Sequence, residues 1–337
     1  MTTIKDVARD AGVSIGTVSK VINGVHVRDE YYQRVDASIR KLNYRVNLNA
    51  RGLKAQRTND IAVIVPTLEN PFFPPMVDAI EKELTEKGKR MLICISRNDR
   101  NKLHGYIEMA RNNRVDGIFG VTYSNIDDDI LEHMPIVSFD RHFKPSIPCV
   151  ASDNFSGGEL AARTLVEKGC KKLLCFWTGS DYDCEPSKRI KGFQQYCLRN
   201  HVEHNVLSYM DYEQVDTGFM YISQIYRDMV RNIIQAHSEN GKFEFDGIFC
   251  SSDHLALVVK EELEGIGIRV PQEVQIIGFD GIQIMNGGKP IVSSIQQPVA
   301  QIAQTGVRML LQLIEEGSAE SVVDLPVRFV EGGTTRQ

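Results

Sequence analysis

Apolar residues recur at helical intervals over the first 42 residues, and farther on they collect into short solid runs. Ile4, Val7, Ala8 and Ala11 share one helical face by i, i+3, i+4, i+7 spacing. Ala8 is small, so a second helix can approach closely there. Gly12 stands where the chain must turn sharply, and glycine accepts left-handed backbone without penalty. Ser14 reads as the N-cap of the second helix, its oxygen taking a free backbone N–H. Val18, Val21 and Ile22 aim that helix back at the first. An ordinary helical hairpin needs only the spacing. The further agreement of Ala8, Gly12 and Ser14 predicts a helix-turn-helix, the unit that lays its second helix in the DNA major groove. Val35, Ile39 and Leu42 then give the stripe of a third helix over 30–42.

The pattern changes at Asp60. Apolar runs fall at 61–65, 91–95, 116–121, 135–139, 149–152, 172–177, 245–250 and 274–279. Between most of them lie amphipathic stretches at 76–87, 102–111, 157–168, 188–199, 217–236, 254–264 and 299–315. Continuous apolar strands separated by helices predict buried parallel sheets, doubly wound. The number of runs suits two such sheets better than one. In open parallel sheets a ligand sits beyond the carboxyl ends of the strands. Asp140 and Arg141 follow a run directly and are candidates on that ground.

Charge sharpens this division. Residues 1–58 hold 11 Lys and Arg against 5 Asp and Glu, a balance of +6, while the remainder has 28 against 39, a balance of −11. A basic headpiece on an acidic body suits a protein that meets phosphates with one end only. The 42% apolar content supports a full core, and no apolar run reaches 18 residues, which argues against a membrane span. The leading residues lack a secretory pattern. Seven cysteines without a C-x-x-C pair point to reduced thiols, and with them to a cytoplasmic protein.

On the second helix, Ile15, Gly16, Thr17, Ser19 and Lys20 are predicted to face outward. Lys20 has the reach for guanine O6 or N7, and Ile15 offers apolar contact to a thymine methyl. Gly16 supplies no side chain. Ser14, Thr17, Ser19, Asn23 and the Tyr44 hydroxyl are candidates for phosphate contacts, which position a helix without specifying sequence. For the hydroxyl and amide groups, simple capping is the alternative.

The run I-K-D-V-A-R-D-A-G-V-S-I-G-T-V-S-K-V-I-N, residues 4–23, closely resembles the start of the LacI/GalR family of bacterial transcription regulators. The resemblance extends over nearly the whole chain. It implies a repressor whose operator affinity is set by a small ligand, acting as a homodimer on a pseudo-palindrome. It also implies a body of the type I periplasmic-binding-protein-like fold, with two lobes and chain crossings near 153, 297 and 325. The expected organisation is a headpiece at 1–45, a hinge helix and linker at 46–58, and an effector-binding and dimerisation domain at 59–337.

N-L-N-A-R-G-L-K, residues 47–54, resembles the family's hinge helix. There Leu53 would enter a minor-groove step, with Lys54 beside it and Ala50 packed on its twin. Val46 stands where the family has proline, and Gly52 weakens the helix, so folding on DNA is expected.

In the body, Phe72 and Phe73 match cleft-lining aromatics of the family. Asp153, in D-N-x-x-G-G, matches an effector contact at a crossing. Arg189, in R-x-x-G-F, matches an arginine that clamps carboxylate or hydroxyl groups. Tyr212 holds the place of a stacking aromatic. Asp253, in S-S-D, and Asp280, in G-F-D, match carboxylates that accept sugar hydroxyls. The residue chemistry leaves plainer readings beside these: Asp253 as a helix N-cap, Phe72 and Phe73 as core, Asp280 and Arg189 as a structural pair.

No nucleotide loop, metal-ligand set or nucleophile signature is present, so neither a cofactor nor an enzymatic activity is expected. Cys197, His201 and His204 approach helical spacing without completing a ligand set. A solute-binding protein of a sugar transport system is the rival reading. The basic headpiece opposes it.

Overall fold

A computed structural model describes residues 2–44, 58–97, 99–112, 115–120, 134–141, 143, 147–178, 185–209, 219–239, 242–282 and 290–337. It divides into two compact units, residues 1–58 and 59–337. The expected hinge helix, with Ala50, Leu53 and Lys54, lies outside the described residues, as does Tyr212.

The first unit holds α1 (Ile4–Ala11), α2 (Ile15–Ile22) and α3 (Asp29–Lys41). Val7, Ala8, Ala11, Val18 and Val35 form its buried centre, flanked by Ile4, Val21, Ile22, Ile39 and Leu42. Thr3 opens α1 with a reciprocal capping box to Asp6. Gly12 ends it in the left-handed region at φ 61°, and the Val13 N–H reaches back to the Ala8 carbonyl at 3.1 Å.

The second unit is built on two six-stranded sheets. The first uses β1 (Asp60–Val65), β2 (Arg90–Ile95), β3 (Gly117–Gly120), β4 (Ile136–Phe139), β5 (Cys149–Ser152) and β13 (Val322–Leu325), in the order β13-β5-β4-β3-β1-β2, all parallel. The second uses β6 (Lys172–Thr178), β7 (Glu203–Tyr209), β10 (Gly247–Cys250), β11 (Gln275–Asp280), β12 (Ser293–Gln296) and β14 (Arg328–Val330), in the order β14-β12-β11-β10-β6-β7. Only β14 runs antiparallel there. The short pair β8 (Ser238–Glu239) and β9 (Lys242–Phe243) stands apart.

Helices cover the sheets: α4 (Phe73–Glu86), α5 (Arg100–Arg111) and α10 (Val299–Glu316) serve the first lobe. The second has α6 (Asn154–Glu167), α7 (Lys188–Arg199), α8 (Phe219–Ala236) and α9 (Asp253–Gly265). Covering both faces explains the solid apolar runs of the inner strands, and every residue of β1 after Asp60 is buried. On the edge strand β2, against the expectation of a buried run, Leu92 and Ile93 are exposed. The chain leaves the first sheet at Asp153, returns after β12 at Gln297 and Pro298, and crosses again between β13 and β14. These crossings put the carboxyl ends of β4, β5, β10 and β11 beside one another.

Candidate DNA-binding helix and inter-lobe polar site

On α2 the Ser14 oxygen accepts the Thr17 N–H at 3.0 Å, and its hydroxyl meets that of Thr17 at 2.9 Å. Both hydroxyls are therefore engaged at the helix start. Ile15, Gly16 and Lys20 are exposed, while Thr17 and Ser19 are half-buried. A Cβ on Gly16 would meet only the Ser14 oxygen, at 3.5 Å, so packing within the headpiece does not require glycine there. Asn23 ends the helix, its side-chain amide 3.4 Å from the Ser19 hydroxyl. Tyr44 packs its ring against the headpiece core.

The polar site of the second unit gathers at the crossings. Asp140 closes β4 with φ 54°, and Asp280 closes β11 with φ 112°, so both turn sharply in a region that disfavours side chains. Asn154, the first residue of α6, joins several groups. Its amide donates to Asp140 Oδ1 at 3.3 Å and to the Ser152 carbonyl at 2.8 Å. Its oxygen accepts from Arg189 Nε at 2.7 Å. Arg189 also donates from Nη1 to the Ser251 carbonyl at 2.8 Å, and its guanidinium lies 3.5 Å from the centroid of the Phe279 ring. Gln297, on the second crossing, donates to Asp280 Oδ1 at 2.7 Å and accepts from the Ser152 hydroxyl at 2.8 Å. One amide thus ties the end of a first-lobe strand to the end of a second-lobe strand.

Burial dominates the electrostatics. It pushes the Asp140 carboxyl up to about 7 and that of Asp280 to about 6, although the Arg189 charge and hydrogen bonds from Asn154 and Gln297 pull the other way. Asp253 is raised well above the carboxylate range by burial and by the Asp280 charge. Its place differs from the N-cap considered for it. Ser252 caps α9, accepting the Leu255 N–H at 3.2 Å, and Asp253 is the first residue inside the helix. One Asp253 oxygen accepts the Ile282 N–H at 3.0 Å, and the other is buried without a hydrogen-bond partner among the described residues.

The remaining candidates are more peripheral. Asp153 caps α6 through the Ser156 N–H at 2.9 Å, and its own N–H donates to the Leu325 carbonyl at 2.7 Å. Arg141 is buried, 4.8 Å from the Phe143 ring centroid. Phe72 and Phe73, each 5% exposed, sit in the first-lobe core, with Phe72 stacked 6.0 Å from Phe139.

Sequence reasoning did not single out Asn154, Gln297 or Glu185. Asn154 and Gln297 lay within segments read as crossings. Glu185 is buried, bound to Lys188 at 2.6 Å, and no local pattern marked it. Gly157 and Gly158 serve packing: a Cβ on Gly158 would overlap the Arg189 carbonyl oxygen, and one on Gly157 would meet the Phe279 ring at 2.8 Å. Among the described residues no group of acidic, His or Cys side chains is placed to hold a metal, and no helix is long and apolar enough to cross a membrane.

Residues 3–47 match the bacterial regulatory proteins of the lacI family, and residues 162–335 match the periplasmic binding protein-like domain. The chain is 33% identical to the sucrose operon repressor of Pediococcus pentosaceus, over 98% of each protein. A periplasmic binding protein/LacI transcriptional regulator from Alkaliphilus metalliredigens, solved with D-xylulofuranose, superposes with a TM-score of 0.70 at 29% identity, covering 83% of this chain and all (100%) of that one. The lac repressor dimer bound to operator and an anti-inducer has a TM-score of 0.80 over 99% of both chains, and at 22% identity it speaks for the fold alone. With the helix-turn-helix, the two wound sheets and a whole-length relative in agreement, the chain belongs to the LacI family of bacterial regulatory proteins, DNA-binding regulators that carry an effector domain.

Proposed function

We propose that this protein is a cytoplasmic, non-catalytic, sequence-specific repressor whose operator affinity is governed by a sugar or sugar derivative held between its two lobes. The observation that carries the reading is the inter-lobe cluster of Asp140, Asn154, Arg189, Asp280 and Gln297. Carboxylates and amide oxygens accept hydroxyl protons, while guanidinium and amide N–H groups donate to hydroxyl oxygens, so the set suits a polyol better than an apolar ligand. The relatives named for sucrose and solved with D-xylulofuranose support the same class. Asp153, Arg141, Phe72, Phe73 and Tyr212 complete the proposed effector side.

On the DNA side, Ile15, Gly16 and Lys20 read base edges from α2, with Ser14, Thr17, Ser19, Asn23 and Tyr44 toward phosphates. Two chains act as a dimer on a pseudo-palindrome. The segment 46–58 folds there as a hinge helix, Leu53 entering the minor groove with Lys54 and Ala50 alongside. Effector binding changes the setting of the two lobes and so biases whether the hinges pair.

The test is selection from a random duplex library with the full-length chain, repeated with residues 1–58 removed. Full-length protein should enrich a two-fold symmetric site and the truncated body should enrich none. Sucrose, D-ribose and D-xylulose are then titrated against that site and against thermal unfolding of the body. No enriched duplex, with or without these sugars, rejects the regulator and leaves the transport reading.

A further inference from the structure

The turn after β11 joins the two lobes by an apolar contact that the polar site does not require. Asp280 and Gly281 both have positive φ, 112° and 74°, so the backbone turns sharply at the end of β11. A Cβ on Gly281 would meet Gln296 Cβ at 2.8 Å, which reserves the position for glycine. Two second-lobe side chains hold this turn: the Gly281 N–H donates to the Ser294 hydroxyl at 3.0 Å, and the Ile282 N–H to Asp253 Oδ2 at 3.0 Å. The Ile282 side chain, 8% exposed, then joins the apolar cluster of Phe72, Phe73, Phe139 and Val299. All other buried members of that cluster belong to first-lobe strands and helices and the loop before α4, so among the described residues Ile282 alone enters it from the end of a second-sheet strand.

We infer that Asp253 and Ile282 form a latch between the lobes: Asp253 fixes the turn, and Ile282 seats it against the first lobe. Asp253 is then a positioning residue that acts through the 280–282 backbone. Its buried carboxyl faces Gly278, where a Cβ would overlap Oδ1, and this contact keeps it against β11. Because Asp280 belongs to the same turn, a ligand that moves this carboxylate also moves Ile282 in its socket. That consequence rests on the effector reading above. The latch itself does not, and it is tested without ligand or DNA.

The experiment is amide hydrogen exchange on the full-length protein, comparing Ile282→Ala, Ile282→Val, Asp253→Ala, Asp253→Asn and the double variant Asp253→Ala with Ile282→Ala. Ile282→Ala should speed exchange roughly tenfold, within the range usual for coupled sites, at Phe73, 280–282 and 299–303, leaving β2 and β7 unchanged. Asp253→Ala should reproduce this pattern, and the double variant should add little to either single change. Asp253→Asn keeps an oxygen for the Ile282 N–H and should exchange like the native chain. Equal acceleration throughout both sheets would mean a general loss of stability and overturn the latch. So would additive effects in the double variant, or Asp253→Asn behaving as alanine. If Ile282→Ala fails to fold, Ile282→Val should give the same local pattern at smaller amplitude, and an unchanged profile there overturns the proposal.

Discussion

Asp140 shows how one buried side chain can carry a solution property. Its carboxyl is 2% exposed and takes a hydrogen bond from the Asn154 amide, yet burial pushes it up to about 7. In the unfolded chain the same group titrates near its ordinary value of 3.8. The folded protein therefore binds more protons than the unfolded chain between those values. Stability from this group is full below the unfolded value and is lost as pH rises through about 7. Asp280, at about 6, acts in the same direction. We predict that urea-unfolding stability carries a downward component between pH 4 and 7, up to ~4 kcal/mol from Asp140. Asp140→Asn, which keeps the shape and loses the titration, should flatten that component. An unaltered pH slope in the variant would show that Asp140 ionises freely in the folded chain. In the inter-lobe site, chemistry was legible where it was charged: strand-end position selected Asp140 directly. Asn154 and Gln297 carry no charge and follow no periodic rule, so their bridging roles emerged only once the crossings were folded.

At the scale of elements, the packing of α6 on α7 supports the site. A Cβ on Gly158 would overlap the Arg189 carbonyl oxygen, and one on Gly192 would overlap the Phe155 carbonyl oxygen. The two helices thus touch backbone to backbone, and this contact brings Asn154 to Arg189 at 2.7 Å. The glycines of D-N-x-x-G-G and R-x-x-G-F are matched halves of one crossing. Gly192→Ala should separate the helices, cost about 1–3 kcal/mol as an overpacked contact, and weaken effector binding through displaced Arg189. Thermal unfolding and ligand titration of the same variant check both effects. Native effector affinity with lowered stability would disconnect the crossing from the site. Elements were legible where burial is apolar. The eight runs read from sequence all became strands, but burial under helices holds for the inner ones: β2, at the edge of the first sheet, leaves Leu92 and Ile93 40% and 46% exposed. β12, S-S-I-Q, is equally buried and was invisible to that rule. Its serines satisfy themselves by hydrogen bonds: Ser293 with Thr335 at 2.7 Å and Ser294 with the Gly281 N–H at 3.0 Å. β7 is an edge strand with polar positions, and it too escaped the apolar pattern.

For the whole molecule, the decisive quantity is where the charge lies. Residues 1–58 carry +6 and the rest −11, so the net charge of −5 misdescribes both parts. An acidic body repels duplex phosphates and a basic headpiece attracts them, so binding to DNA of any sequence must come from the smaller part. Each neutralised phosphate releases counterion and steepens the dependence of log affinity on log salt by about −0.9. With six to ten such contacts across the proposed dimer, affinity for operator should fall by roughly 10³–10⁵ between 50 and 200 mM salt. Fluorescence anisotropy on selected and scrambled duplexes measures this directly. If Lys20 meets a base edge, as its exposed place on α2 suggests, Lys20→Gln should narrow the gap between the two duplexes and leave the salt slope of the scrambled one intact. If Lys20 instead meets a phosphate, the variant should weaken both equally and reduce the slope by about one. A salt-insensitive full-length protein would break the link between the basic headpiece and DNA altogether, because no arrangement of Lys and Arg on phosphates avoids counterion release.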